Sequence, residues 1–315
     1  MSAFDVFKPI YSRLPEVTGP EEKQTLKRRL MWAAGALLLF FVMGNITVIG
    51  IDASSAGQLQ QLQVILASQI GSLITVGIGP VVLSSIVLQL LIGGGLVKLD
   101  LTNQADKIQF SGMQKLLAIV LSFFEAIAFT LTGFLTPAPG MFPFVVLQVA
   151  IGSIILLYLD EVVSKWGIGS GIGLFIAGQV AGEIIWRIFS PIDLLGNITL
   201  ADGSGLFFLF FREIGSNIAN AFIVALIPII FTLLVFLVVV YAEGIHVNIP
   251  ITMGRRGTGG RYPVKFLYVS NMPVILAVAL FANFSIWAAL ARDVPIVGDV
   301  LNGIATLVIP PYGLI

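Results

Sequence analysis

The sequence predicts an all-α integral membrane protein. Three observations carry that expectation. Of 315 residues, 57% are hydrophobic and only 11% charged, with a mean hydropathy of +1.00. A soluble chain carries about 25% charged residues. The apolar residues gather into runs of about 20, the length that crosses a bilayer as a helix. Lys and Arg collect in alternate connections between those runs. Net charge is zero, which gives no bulk attraction to nucleic acid. The chain has no cysteine, so disulfides, thiolate metal sites and Cys nucleophiles are excluded.

Residues 1–30 are mixed and polar, form no short apolar core of signal-peptide type, and are expected to be a cytoplasmic segment. Seven spans follow, at about 31–50, 71–97, 115–136, 142–159, 168–190, 217–241 and 266–290. With seven spans, fourteen of the 17 Lys and Arg residues fall on one side and only Arg187, Arg212 and Arg292 on the other. Basic loops stay inside, so the N-terminus is cytoplasmic. That orientation argues against a seven-helix receptor or a retinal protein, whose N-terminus is outside. Residues 266–290 also lack the Schiff-base lysine that a retinal protein needs.

Between the first two spans lies "IDASSAGQLQQLQVILASQI", residues 51–70, with no Lys or Arg and a polar centre at Gln58 to Gln63. It is expected to fold back into the protein as a short helix, since interrupted backbone is tolerated in a membrane where it lines a cavity. Gly77, Gly79 and Pro80 follow inside "GIGPVVLSSIVLQLL" and are read as a hinge before a full span. A second glycine cluster, "SKWGIGSGIGLFIAG" at 164–178, has the spacing G-x-G-x-G and no preceding soluble strand, so it is not a dinucleotide fingerprint. Glycine at every second position costs about 1 kcal/mol each in a helix against alanine. The backbone there must bend or be closely approached. The cytoplasmic stretch 242–265, "AEGIHVNIPITMGRRGTGGRYPVK", reads as a long, flexible, basic hairpin suited to an anionic partner such as ribosomal RNA.

"ITVGIGPVVLSSIVLQLL", "YLDEVVSKWGIGSGIGLFIAG" and "IPITMGRRGTGGRYPVKFLYVSNMPVILAVALFAN" together resemble the SecY protein-translocation channel family in its archaeal form. The resemblance runs from about residue 5 to the last residue. It implies an inverted-repeat fold of ten helices in two halves around a pore, seven of them within these 315 residues. The second half would then lack its last three helices. "PVVLSSIVLQ" from Pro80 and "PVILAVALFA" from Pro273 are a short trace of such a repeat. The halves are expected at 31–190, including a plug at about 51–70, and at 191–315, including the loop 242–265.

The resemblance assigns roles residue by residue. Ile78, Val82, Ile172, Ile176 and Ile275 fall at the apolar ring that closes the pore. A narrow apolar collar excludes ions because a dehydrated ion is costly, yet it yields around an extended chain. The spacing of Ile78 with Val82, and of Ile172 with Ile176, places each pair on one helix face. Glu125, an ionisable residue within a span, and Asn271 fall at a polar cluster across a lateral gate. The third place of that cluster, usually a small hydroxyl residue, is Leu83 here, with Ser84 turned about 100° away on an ideal helix. Arg255, Arg256 and Arg261 fall on a ribosome-binding loop. The implied partners are SecE, a small third subunit of SecG or beta type, the ribosome, signal sequences, nascent polypeptides and membrane lipid. The implied location is the cell membrane, multi-pass. No cofactor, metal or catalytic residue is implied: His246 is the single histidine, and no Ser-His-Asp set or phosphate loop is present. The implied function is the central pore of the Sec translocase, passing unfolded chains across the membrane and releasing transmembrane segments sideways. The alternative is an inverted-repeat secondary transporter, which should carry polar ligands where its broken helices meet.

Overall fold

A computed structural model describes residues 7–51, 69–97, 99–100, 102–191, 204–215, 218–251 and 260–265, together with 280, 283, 287–288 and 303. The chain divides into two compact units, residues 1–180 with 272–315, and residues 181–271.

In the first unit, a short helix α1 (Lys8–Tyr11) precedes α2 (Leu26–Asn45), α3 (Gly79–Gly93), α4 (Gln104–Leu131), α5 (Phe142–Trp166) and the start of α6 (Gly171–Phe189). Along α2 the buried residues are Ala33, Ala36, Phe40, Met43 and Gly44, one stripe at helical spacing. Leu38, Leu39 and Val42 on the other side are exposed, as lipid-facing residues would be. Asn103 caps α4 by accepting from the Ala105 N–H at 3.3 Å, and Asp106 lies in the favourable first turn. At 28 residues α4 is about 42 Å long, so it outruns a bilayer core of about 30 Å.

α4 packs against α3 and α5. Their facing residues are small: Ala118, Ser122, Ala126, Ala150, Gly152 and Ser153 are all buried. Close approach of this kind drives helix association where no hydrophobic effect separates helix from lipid. The Ser122 hydroxyl bonds that of Ser153 at 3.1 Å, and the Ser153 hydroxyl donates to the Gly77 carbonyl at 3.2 Å. A Cβ on Gly152 would overlap the Leu73 carbonyl, so the chain before α3 lies directly on α5.

The second predicted span, 71–97, was expected to carry a hinge at Gly77, Gly79 and Pro80, and the structure corrects its bounds: the helix begins at Gly79, within that stretch, and ends at Gly93. Residues 69–78 form a buried irregular turn. Gly77 holds φ +64, a conformation that favours glycine. Ser72 and Thr75 compete for the backbone: the Thr75 hydroxyl donates to the Ser72 carbonyl at 2.6 Å and accepts from the Gly71 N–H at 3.1 Å. Local bonds, together with those from Val48, to Ile46 and from Ser153, thus satisfy several of the turn's polar groups without a helix. Further corrections concern ends: the first span starts at Leu26, the third at Gln104, and the fourth runs on to Trp166. Polar and charged residues at those helix ends fall below a hydropathy threshold while remaining helical.

In the second unit, the end of α6 is followed by α7 (Leu206–Ile214), a helix not expected from the sequence. Gly205 N–H donates to the Ser190 carbonyl at 3.0 Å, and the rings of Phe189 and Phe207 meet at 5.7 Å. α8 (Ile218–Gly244) contains a π-helical turn over Ala221–Leu226, immediately before Pro228. Proline cannot donate to a regular ladder, and the widened turn ends two residues ahead of it while the helix runs on to Gly244. Strands β1 (His246–Ile251) and β2 (Gly260–Lys265) then pair antiparallel, with His246 opposite Lys265 and Ile249 opposite Tyr262. The two described ends of the basic stretch thus form a β-ribbon, and among the described residues the other named elements are helical. Pro250 and Pro263 are tolerated because both strands of a two-stranded ribbon are edges. Most of the seventh predicted span, 266–290, lies outside the described residues; residues 280, 283, 287 and 288 are helical.

Candidate functional site at an apolar closure

The turn at 69–78 delivers Ile78 to the start of α3, where it occupies the N-cap position ahead of Gly79 and Pro80. Proline suits the first turn of a helix because its missing N–H would be unpaired there in any case. The Val82 N–H donates to the Ile78 carbonyl at 3.1 Å, so the two side chains stand one turn apart. Ile78 and Val82 are 2% and 0% exposed.

On α6, Ile172 and Ile176 repeat that spacing. Ile78, Val82 and Ile176 belong to one buried cluster with Phe40, Ile74 and Phe175, and Ile172 packs against it. The rings of Phe40 and Phe175 stack at 5.2 Å within it. Four of the five expected collar residues therefore converge from two separate helices. Ile275 lies outside the described residues. The cluster is chemically inert: its side chains offer dispersion contacts and no hydrogen-bonding group.

Next to it stands Glu125 on α4, 1% exposed. Neither carboxyl oxygen has a hydrogen-bond partner among the described residues. A Cβ on Gly79 would come within 2.9 Å of Oε2, so Gly79 leaves the room Glu125 occupies. Asn271, its expected companion, lies outside the described residues. Ser84 does not replace the hydroxyl absent at Leu83, because its own hydroxyl donates back to the Val81 carbonyl at 2.8 Å. Of the basic loop, Arg261 is described and exposed on β2, opposite Pro250, while Arg255 and Arg256 lie outside the described residues. Most of the predicted plug, 52–68, also lies outside them. Its flanks are anchored: Thr47 bridges Ser72, Ile51 bridges Pro137, and the Gln148 amide accepts from the Ile49 N–H at 3.1 Å and donates to its carbonyl at 3.0 Å.

Sequence reasoning missed a strap formed by residues 15–18 against α4 and α5. Lys115 pairs with Glu161 at 2.8 Å and donates to the Pro15 carbonyl. Lys165 reaches both Glu161 and Glu16 at 2.9 Å. The Trp166 indole donates to the Thr18 carbonyl at 2.8 Å and its ring lies 5.5 Å from that of Trp32. The hydrogen bond from Lys165, and then its charge, hold the Glu16 carboxyl below its ordinary range. No local pattern joins residues 15–18 to 161–166. The signal available was only that Lys115, Glu161 and Lys165 are charges in or near apolar runs.

Helices of span length, an interrupted helix and a buried carboxylate beside an apolar cluster are features of a multi-pass membrane protein. Comparison with known proteins narrows the class. The family description SecY matches residues 72–311, and the plug domain of Sec61p matches residues 38–71. The chain belongs to the SecY family. It is 44% identical over 305 residues to the protein translocase subunit SecY of Methanothermobacter thermautotrophicus, covering 94% of this chain and 66% of that protein. It is 44% identical over 317 residues to the corresponding subunit of Methanocaldococcus jannaschii, covering 97% of this chain and 69% of that one. Among solved structures it superposes on one described as a protein conducting channel with a TM-score of 0.73 and 41% identity, over 91% of this chain and 64% of that chain. It also superposes on Sec61 in the canine ribosome-channel complex from the endoplasmic reticulum, with a TM-score of 0.72 and 42% identity, over 91% of this chain and 65% of that chain. The chain thus spans about two thirds of the length of these relatives.

Proposed function

We propose that this chain supplies the amino-terminal part of the central pore subunit of a Sec translocase, with its first half at 31–190 and part of its second at 191–315. The whole subunit passes unfolded polypeptides across the membrane and releases apolar segments sideways into lipid. The observation that carries the reading is the convergence of Ile78, Val82, Ile172 and Ile176 on one apolar cluster. Ile275 completes the collar. Gly77, Gly79 and Pro80 let the backbone yield beside it. Glu125 and Asn271 belong to the lateral gate, where signal sequences leave for lipid. Arg255, Arg256 and Arg261 sit on the ribbon that meets the ribosome, a role supported by the ribosome-bound relative. SecE and a third subunit of SecG or beta type complete the complex. A secondary transporter is not favoured, because the matching family is SecY and a structural relative at 41% identity is described as a protein conducting channel.

The test is single-channel recording in a planar bilayer, with the chain extended to the length of its relatives and assembled with its partners. Ile78→Asn and Ile275→Asn each place a water-holding group on the collar and lower its dewetting barrier. Both should leak ions at rest. Resting conductance equal to the parent's in both variants overturns the assignment.

A further inference from the structure

Asp160 is a carboxylate in an apolar helix that no role above uses. It lies on α5, six residues before that helix ends at Trp166. The chain then turns through Gly169, at φ +72, and restarts as α6 at Gly171. The first N–H groups of a helix have no partner within it and need an acceptor from elsewhere. Asp160 supplies one from the preceding helix. Its Oδ1 accepts from the Ile172 N–H at 2.9 Å, and the Gly171 N–H acts on the same carboxylate. A negative group at that end also complements the helix dipole.

The fit leaves no spare room. A Cβ on Gly171 would stand 2.6 Å from both the Cα and Oδ1 of Asp160. This answers the puzzle of the alternating glycines. One of them makes the turn and another lets the backbone of α5 approach the first turn of α6. The first side chain beyond the cap is Ile172, and one turn on is Ile176. The cap thus sets the start of the helix face that reaches the apolar cluster of Ile78 and Val82, and Ile172 also packs against a second cluster formed by Val81, Ala118 and Leu157.

We propose that Asp160 is a positioning residue: reaching from α5, it closes the amino terminus of α6 and so sets where Ile172 and Ile176 meet Ile78 and Val82. The functional consequence rests on the collar reading above, while the positional claim is tested without any channel measurement. Because the chain has no cysteine, introduced pairs report cleanly. Val81→Cys with Ile172→Cys reports the α3–α6 contact. Ser122→Cys with Ser153→Cys, whose parent hydroxyls are 3.1 Å apart, reports α4–α5 as a control. Oxidative crosslinking is measured in membranes containing the full 315-residue chain.

Asp160→Val should lower the α3–α6 yield about fivefold, the scale of a lost helix cap, with the control pair unchanged. Asp160→Asn keeps an acceptor oxygen and should restore most of the yield. Gly171→Ala leaves the carboxylate in place but forces it from the helix end, and should reproduce the loss. Parent-level α3–α6 crosslinking in both Asp160→Val and Gly171→Ala overturns the proposal. So does an Asp160→Asn yield as low as that of Asp160→Val. Loss of both pairs in both Asp160→Val and Gly171→Ala also overturns it, since Asp160 would then hold the whole bundle. Should the collar fail to seal ions in the recordings described above, the crosslinking result is unaffected, so the two readings fail separately.

Discussion

Helices α5 and α8 have similar lengths and are both strongly apolar, yet they meet their surroundings in opposite ways. Within the most apolar part of each, 44% of α5 is buried and 6% of α8. The difference lies in small and hydroxylated residues. α5 carries Gly152 and Ser153, which touch the turn at 69–78, and Ser153 also meets α4. Thr232 of α8 instead returns its hydroxyl to its own helix, at the Pro228 carbonyl, 2.7 Å away. Apolar character puts a helix in the membrane. Small residues and polar groups with partners on other elements decide which side faces protein.

The contrast can be broken most severely at Gly152. Gly152→Val should destabilise the first unit by about 3 kcal/mol, because a side chain there must displace the Leu73 backbone. The loss would be read as a lower midpoint in thermal unfolding in detergent. Gly173→Ala is the matched control: nothing lies within 4 Å of its added Cβ, so stability should be unchanged or slightly raised. Equal effects from the two would sink the close-approach account.

A smaller effect is expected from the serine pair. Ser122→Ala and Ser153→Ala should each cost about 1 kcal/mol, and the double variant less than their sum, because both remove one shared bond. Val235→Ala on α8, an exposed site, should change the same unfolding midpoint by no more than about 0.5 kcal/mol.

The smallest effect concerns the strap. Glu16 has its carboxyl depressed by Lys165, so its contribution is present above the ordinary carboxylate pKa of 4.5 and is lost as pH falls through the lower folded value. Glu16 is largely exposed, so the contribution is about 0.5 kcal/mol. In a variant keeping Trp166 as its one tryptophan, fluorescence should stay constant from neutral pH to about 5 and change only below 4.5. Glu16→Gln should abolish that acid transition. A transition unaltered in Glu16→Gln would assign it to another group.

Much of the architecture was legible in residue order alone. Apolar runs of span length marked most of the membrane helices, because a bilayer penalises every charge and every unpaired backbone group within it. Gly77, Gly79 and Pro80 marked an interruption, and the structure places the helix start at Gly79. Ile78, Val82, Ile172 and Ile176 were named together from motif and spacing, and they pack in one apolar cluster. The register of the spans was less legible. Helix α4 extends eleven residues ahead of its predicted start because Asn103 caps it and Lys115 finds Glu161, and neither adds hydropathy.

The amino-acid sequence by itself determined that this chain lives in a membrane and where the helix before Val81 is interrupted. Those properties follow from transfer energies and backbone preferences, which are local. Only the tertiary structure decided that Asp160 caps a helix beginning eleven residues later, that Gly152 carries the Leu73 backbone, and that residues 15–18 strap Lys115, Lys165 and Trp166. Each of those contacts depends on distance and direction between elements. Residue spacing does not encode such distances until the helices have packed.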